Sequence, residues 1–190
     1  NNNIILLNIL GVVYLRKKFF KKAEPIFKKI LNLNSKDTNA LKNLGETYRK
    51  INKFANAIKY YELYLTINPN DNEVINNLAS CYLKNKRYEQ AVNYYRDLTK
   101  NNPHDQEYLT NLAMALIESL NFKEGMQILE QLLDKNISNK RALSGYLFNQ
   151  NYNPQINFDK LNNYIKKFNR SSKKDNLNII NFCYKRNPEK

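Results

Sequence analysis

Apolar residues recur along this chain with two nested periods, one of about four residues and one of 34. At the short period, apolar side chains are spaced three and four residues apart, which predicts amphipathic α-helices. At the long period, four units align without gaps over residues 4–37, 38–71, 72–105 and 106–139. Each unit is long enough for two antiparallel helices, which we name helix A and helix B.

Every unit carries a small residue at one fixed place in each helix, where two helices can approach closely. In helix A these are Gly11, Gly45, Ala79 and Ala113. In helix B they are Ala23, Ala57, Ala91 and Gly125, each followed four positions later by a large apolar residue, at Phe27, Tyr61, Tyr95 and Leu129. Pro69 and Pro103 are placed to stop helix B in the second and third units.

This pattern resembles the tetratricopeptide repeat family over residues 4–139. The resemblance implies an all-α fold, a right-handed superhelical solenoid of antiparallel helix pairs, and a scaffold that binds a protein or an extended peptide. It also implies that the A helices line a concave groove. We define the inner face as positions 2, 5, 6, 9, 12 and 13 of helix A in each unit.

Asparagine recurs at position 6 of this inner face, as Asn43, Asn77 and Asn111. A carboxamide both donates and accepts hydrogen bonds, so it can pair with the backbone of a peptide of any sequence. The alternative is a compositional habit of an asparagine-rich chain. The other residues predicted in the groove are Lys42, Arg49, Asn76 and Lys84. We expect these side chains to point into solvent, with a basic second unit and a more acidic fourth unit.

The first unit departs from this pattern because its inner positions are apolar, at Ile5, Ile9 and Val12. A helix that is apolar nearly all round is normally covered on several sides. Either further repeats precede it or it meets an apolar partner. For the isolated chain, we expect self-association or fraying through this uncapped repeat.

Residues 140–190 are expected to form a helical extension. The pattern predicts one helix from Lys140 to about Asn149, a turn at Tyr152–Pro154 and a second helix over Phe158–Phe168. Residues 142–154 and the helix that follows them resemble the junction between repeats and catalytic domain in O-GlcNAc-transferase-like proteins, and this resemblance covers roughly residues 141–190. That resemblance implies an alternative function, the substrate-recognition arm of a glycosyltransferase whose catalytic residues would lie beyond Lys190.

The remaining chemistry argues for binding rather than catalysis. The net charge of +14 is concentrated at the ends of the chain, and the acidic inner-face residues Glu46, Glu73 and Glu107 disfavour RNA. Cys81, Cys183 and His104 form no metal-binding or catalytic pattern, so we expect no cofactor, no metal and no catalytic residue. The longest apolar stretch is too short to span a membrane, which needs roughly 20 residues. These features favour a reduced, cytoplasmic protein.

Overall fold

The computed structural model of the 190-residue chain describes residues 2–150 and 158–171. All regular secondary structure in these residues is α-helical. The helices are α1 (Asn2–Arg16), α2 (Phe20–Leu33), α3 (Thr38–Lys50), α4 (Phe54–Leu65), α5 (Asn72–Lys84), α6 (Tyr88–Asn101), α7 (Gln106–Glu118), α8 (Phe122–Lys135), α9 (Lys140–Gln150) and α10 (Phe158–Ser171).

The helices form pairs at the predicted period of 34 residues. Helix A of the last three units begins at Thr38, Asn72 and Gln106, the first residues of the units aligned in the sequence. In each pair a short turn joins helix A to helix B, and one residue of that turn has a positive φ. These residues are Lys18 (61°), Asn52 (60°), Lys86 (62°) and Leu120 (69°).

The small residues allow the two helices of a pair to touch. A Cβ atom built on Gly45 would lie 2.7 Å from the ring of Tyr61, and one built on Gly11 would lie 2.6 Å from that of Phe27. Phe27 and Tyr61 are fully buried. Close packing of this kind leaves no room for a side chain at the glycine, so the prediction that small residues mark the helix contacts is confirmed at Gly11 and Gly45.

The described chain divides into two compact bodies, which we call the N-terminal body and the C-terminal body to distinguish them from the four repeat units. The first contains residues 1–103 and therefore α1 to α6; the second starts at His104 and contains α7 to α10. In the N-terminal body, α2 packs against α1 and α3, and α4 packs against α3 and α5. The B helices α2 and α4 therefore each lie between two A helices, and the core runs along this stack.

The two predicted helices of the extension, α9 and α10, complete the hydrophobic core of the C-terminal body. Leu143 and Tyr146 of α9 are buried, as are Tyr164 and Phe168 of α10. The rings of Tyr146 and Tyr164 meet edge to face, with centroids 5.4 Å apart. The predicted turn at Tyr152–Pro154 and the end of the junction resemblance, residues 172–190, lie outside the described residues.

These observations confirm an all-α fold built from repeated antiparallel helix pairs. In the described ranges, no helix is long and apolar enough to cross a membrane.

Candidate protein-binding face

In the N-terminal body, the inner positions of α3 and α5 form a polar surface. Asn43 on α3 and Asn77 on α5 are half-buried, whereas the apolar positions next to them in sequence, Leu44 and Leu78, are fully buried. Within the described residues, neither side-chain amide has a hydrogen-bond partner. Each amide therefore keeps its donors and its acceptor for water or for a ligand.

Lys42 is already paired. Its Nζ lies 3.2 Å from Oδ2 of Asp71 and 2.8 Å from Oε2 of Glu73, so it ties α3 to the start of α5. Burial lowers the pKa of Lys42, but the bonds to Glu73 and Asp71 outweigh burial and raise the pKa overall. Lys42 is thus a charged link between neighbouring helices, and its charge is balanced by two carboxylates.

The positive charge of Arg49 is also balanced within the inner face. Its Nε and Nη2 donate hydrogen bonds of 2.8 and 2.7 Å to the two carboxylate oxygens of Glu46. The hydroxyl of Tyr61 donates a third bond of 3.0 Å to Glu46, and Lys50 lies 3.4 Å from it. Burial raises the pKa of Glu46, but these partners, Arg49 first among them, lower it overall. The positive charge expected in the second repeat unit, residues 38–71, is therefore largely balanced by carboxylates.

Lys84 on α5 is an inner-face cation that can still contact a ligand. It is exposed, and no carboxylate of the described residues pairs with it. It lies seven positions after Asn77, which is two helical turns along the same face. Asn76, the remaining predicted residue, is half-buried beside Asn77.

Helix α7, in the C-terminal body, does not keep this open face. Asn111 is only 4% exposed, and Thr110 and Ile117 are buried as well. The expectation that Asn111 points into solvent is wrong. Gly145 of α9 stands at position 6 of the following stretch, and α9 packs against α7 there; a Cβ atom on Gly145 would lie 2.8 Å from the sulfur of Met114.

The residues that cap the start of three A helices, α3, α5 and α7, were missed by the sequence reasoning. Asp37, Asp71 and Asp105 are N-caps spaced by 34 residues; Asp37, for example, accepts a bond of 2.8 Å from the backbone N–H of Ala40. Position 5 of the preceding A helix contacts the first two of these caps: Asn8 lies 3.5 Å from Asp37, and Lys42 lies 3.2 Å from Asp71. The recurrence of aspartate before each helix was the available signal.

Cys81 and His104 are the described residues that the sequence analysis considered for chemistry. Cys81 is fully buried, and burial raises the pKa of its thiol to about 12, so it does not ionise near neutral pH. His104 lies in the exposed loop before α7. No group of three or more His, Cys, Asp or Glu side chains in these residues could hold a metal ion.

Two family models match the chain by sequence. The model described as tetratricopeptide repeat matches residues 8–72, and the model described as anaphase-promoting complex, cyclosome, subunit 3 matches residues 50–132. Together with the repeated helix pairs, these matches support a tetratricopeptide-repeat protein, a class of fold that generally serves as a scaffold for protein interactions. Both matches end before residue 141, so the junction resemblance stays a prediction. No curated protein sequence matches the chain significantly.

Solved structures of similar fold include two forms of MamA and one further repeat protein. MamA 41-end from Desulfovibrio magneticus RS-1 superposes with a TM-score of 0.79 at 16% identity, over 91% of this chain and 98% of that chain. An ArsTM double mutant of MamA RS-1 gives 0.80 at 16% identity, over 92% and 99%. A tetratricopeptide repeat protein from Parabacteroides merdae ATCC 43184 gives 0.76 at 22% identity, over 92% and 69%. At these identities the similarity shows the fold alone.

Proposed function

We propose that this chain is a non-catalytic scaffold that holds an extended segment of a partner protein against the inner face of α3 and α5. The observation that carries the proposal is the pair of half-buried, unpartnered amides at Asn43 and Asn77. Half-burial reduces competition from water, and an amide without an internal partner does not have to break a bond to bind a ligand.

The paired charges around these asparagines favour contact with peptide backbone. Because Arg49 is held by Glu46 and Lys42 by Asp71 and Glu73, neither cation is free to select an acidic side chain. Backbone groups are the same in every peptide, so binding through Asn43 and Asn77 depends little on ligand sequence. Lys84 adds a modest preference for a ligand with an acidic residue near the end of α5.

The test is the binding of fluorescent, unstructured dodecapeptides of unrelated sequence, measured by anisotropy. Replacement of both Asn43 and Asn77 by Ala removes two hydrogen-bonding side chains, so affinity should fall by about 1–3 kcal/mol for every peptide that binds. The matched control is Asn93→Ala, since Asn93 is exposed on helix α6, a B helix.

Equal affinity of the double variant and the wild-type protein, with an unchanged circular dichroism spectrum, would contradict the proposal. It would mean that the two asparagines are a compositional habit of the chain. A loss restricted to one peptide sequence would also count against binding through the backbone.

A further inference from the structure

Three side chains of α1 are exposed, although the residues at the equivalent repeat positions of α3 and α5 are fully buried. Leu6, Leu10 and Val13 are 63%, 42% and 41% exposed. One and two repeats later, the equivalent residues are 0% exposed; they are Ala40, Leu44 and Thr47 on α3, and Val74, Leu78 and Cys81 on α5. We call Leu6, Leu10 and Val13 the α1 edge face.

The difference between α1 and the later A helices lies in a covering helix. In the sequence order of the repeats, α3 packs against the preceding helix α2, and α5 packs against the preceding helix α4. Short loops join α2 to α3 and α4 to α5. Each preceding helix is therefore antiparallel to the A helix that it covers. The α1 edge face thus has the side-chain spacing of a surface that receives one antiparallel helix.

Positive charge is concentrated at the C-terminal end of α1. Arg16, Lys17, Lys18 and Lys21 are exposed, and none has an acidic partner among the described residues. The acid of the α1–α2 pair, Glu24, is bound to Lys28 at 2.7 Å. An antiparallel helix on the α1 edge face would place its first turn beside these cations.

We propose that the α1 edge face is the docking surface for an amphipathic helix of a partner protein whose first turn is acidic. The apolar positions supply the buried contact, because removal of apolar surface from water favours association. The cations set the direction, because acidic residues at a helix N-terminus are favoured by the helix dipole and would here face Arg16 and Lys17. This surface differs from the inner face that carries the proposed function.

A lipid surface fits the observations less well. Helices that lie on membranes carry lysine and arginine along a polar face. In α1, Arg16 is the basic residue, at the last position of the helix, and the neighbouring cations lie in the turn and on α2. Cations at one end of an apolar stripe suit the end of a helix better than a plane of headgroups.

The probe is a hydrocarbon-stapled 14-residue helix with apolar residues on one face and three glutamates in its first turn. Its twin carries three lysines at the same places. Binding to the full chain is measured by fluorescence anisotropy. The test variants are Leu6→Asp and the double change Arg16→Gln with Lys17→Gln; the control is Leu33→Asp, because Leu33 is 59% exposed on α2.

We expect the glutamate helix to bind about 10-fold more tightly than its lysine twin, as charge complementarity at a helix end requires. Leu6→Asp should weaken binding about 10-fold or more, the double charge variant about 3- to 10-fold, and Leu33→Asp hardly at all. Circular dichroism checks that each variant is folded.

Equal binding of the two helices, or equal losses from Leu6→Asp and Leu33→Asp, would overturn the proposal. Two further results would assign the surface to another occupant and overturn it as well. One is binding to phosphatidylserine vesicles, but not to the helix, that Leu6→Asp abolishes. The other is a wild-type dimer in sedimentation velocity that Leu6→Asp converts to a monomer.

Discussion

At the scale of single residues, Leu120 carries backbone strain. It is 77% exposed and has a φ of 69°, whereas the equivalent turn residues are Lys18, Asn52 and Lys86. The left-handed conformation costs a typical L-residue roughly 1–2 kcal/mol, and asparagine tolerates it better. An exposed leucine gains little from burial in return.

Replacement of Leu120 by Asn should therefore raise the free energy of unfolding by about 0.5–1 kcal/mol. Urea denaturation followed by circular dichroism measures the change. The reverse substitution at the equivalent turn, Asn52→Leu, is the control and should lower stability by a similar amount. A loss of stability in Leu120→Asn would show that the leucine makes a stabilising contact.

The predicted packing residues and the predicted binding residues differ in how far sequence could place them. Gly45 and Tyr61 could be placed because their contact lies within one unit and repeats every 34 residues. The burial of Asn111 could not be predicted in this way, because it depends on α9, where Gly145 stands at the position that asparagine occupies in three units. Identical residues at identical repeat positions thus have different surroundings.

At the scale of helices, Asp71 joins three elements. It caps α5 by accepting a bond of 3.1 Å from the backbone N–H of Val74, and it accepts a bond of 2.7 Å from the hydroxyl of Tyr64 on α4. Lys42 of α3 reaches the same carboxylate. The N-cap alone typically contributes about 1 kcal/mol.

Acid should weaken this junction. Burial raises the pKa of Asp71, but the bonds from Tyr64, Val74 and Lys42 outweigh it and hold the pKa below its ordinary value. The unfolded chain therefore takes up the proton at a higher pH than the folded chain. The stabilisation is complete above the unfolded pKa of about 3.9 and is lost as the pH falls through the lower folded value.

We expect Asp71→Asn to be less stable than the wild-type protein at pH 7 and to lose less stability between pH 5 and pH 3. Urea denaturation across this range measures both effects. The control is Asp97→Asn, because Asp97 is exposed on α6. Parallel stability curves for the wild-type protein and Asp71→Asn would show that the Asp71 carboxylate contributes nothing to acid sensitivity.

The helices themselves were predictable from the spacing of apolar residues, including α9 and α10 beyond the last repeat. Their caps were overlooked because a single aspartate before a helix is weak evidence until its recurrence is noticed. The pairing of Lys42 with Asp71 and Glu73 could not be read from periodicity, since it joins side chains 29 and 31 residues apart.

At the scale of the whole molecule, the repeat period predicted the helix pairs of the described residues, and the resemblance to tetratricopeptide repeats predicted a scaffold that binds protein. It did not predict which parts of the inner face stay open. The open part lies on α3 and α5 of the N-terminal body, whereas the equivalent residues Thr110 and Asn111 on α7 of the C-terminal body are buried. The repeated positions do not specify the ligand. Its chemistry can be inferred only from the side chains of the open face.

The measurement that tests this account most directly is a titration of the ¹⁵N-labelled chain with a pool of random-sequence decapeptides, followed by NMR of the side-chain amides. Asn43 and Asn77 should shift as peptide is added, because their amides would exchange water for peptide backbone. Asn111, which is buried, and Asn93, on the outer helix α6, should stay unchanged. Shifts confined to Asn93 or other B-helix residues, with none at Asn43 and Asn77, would contradict the account.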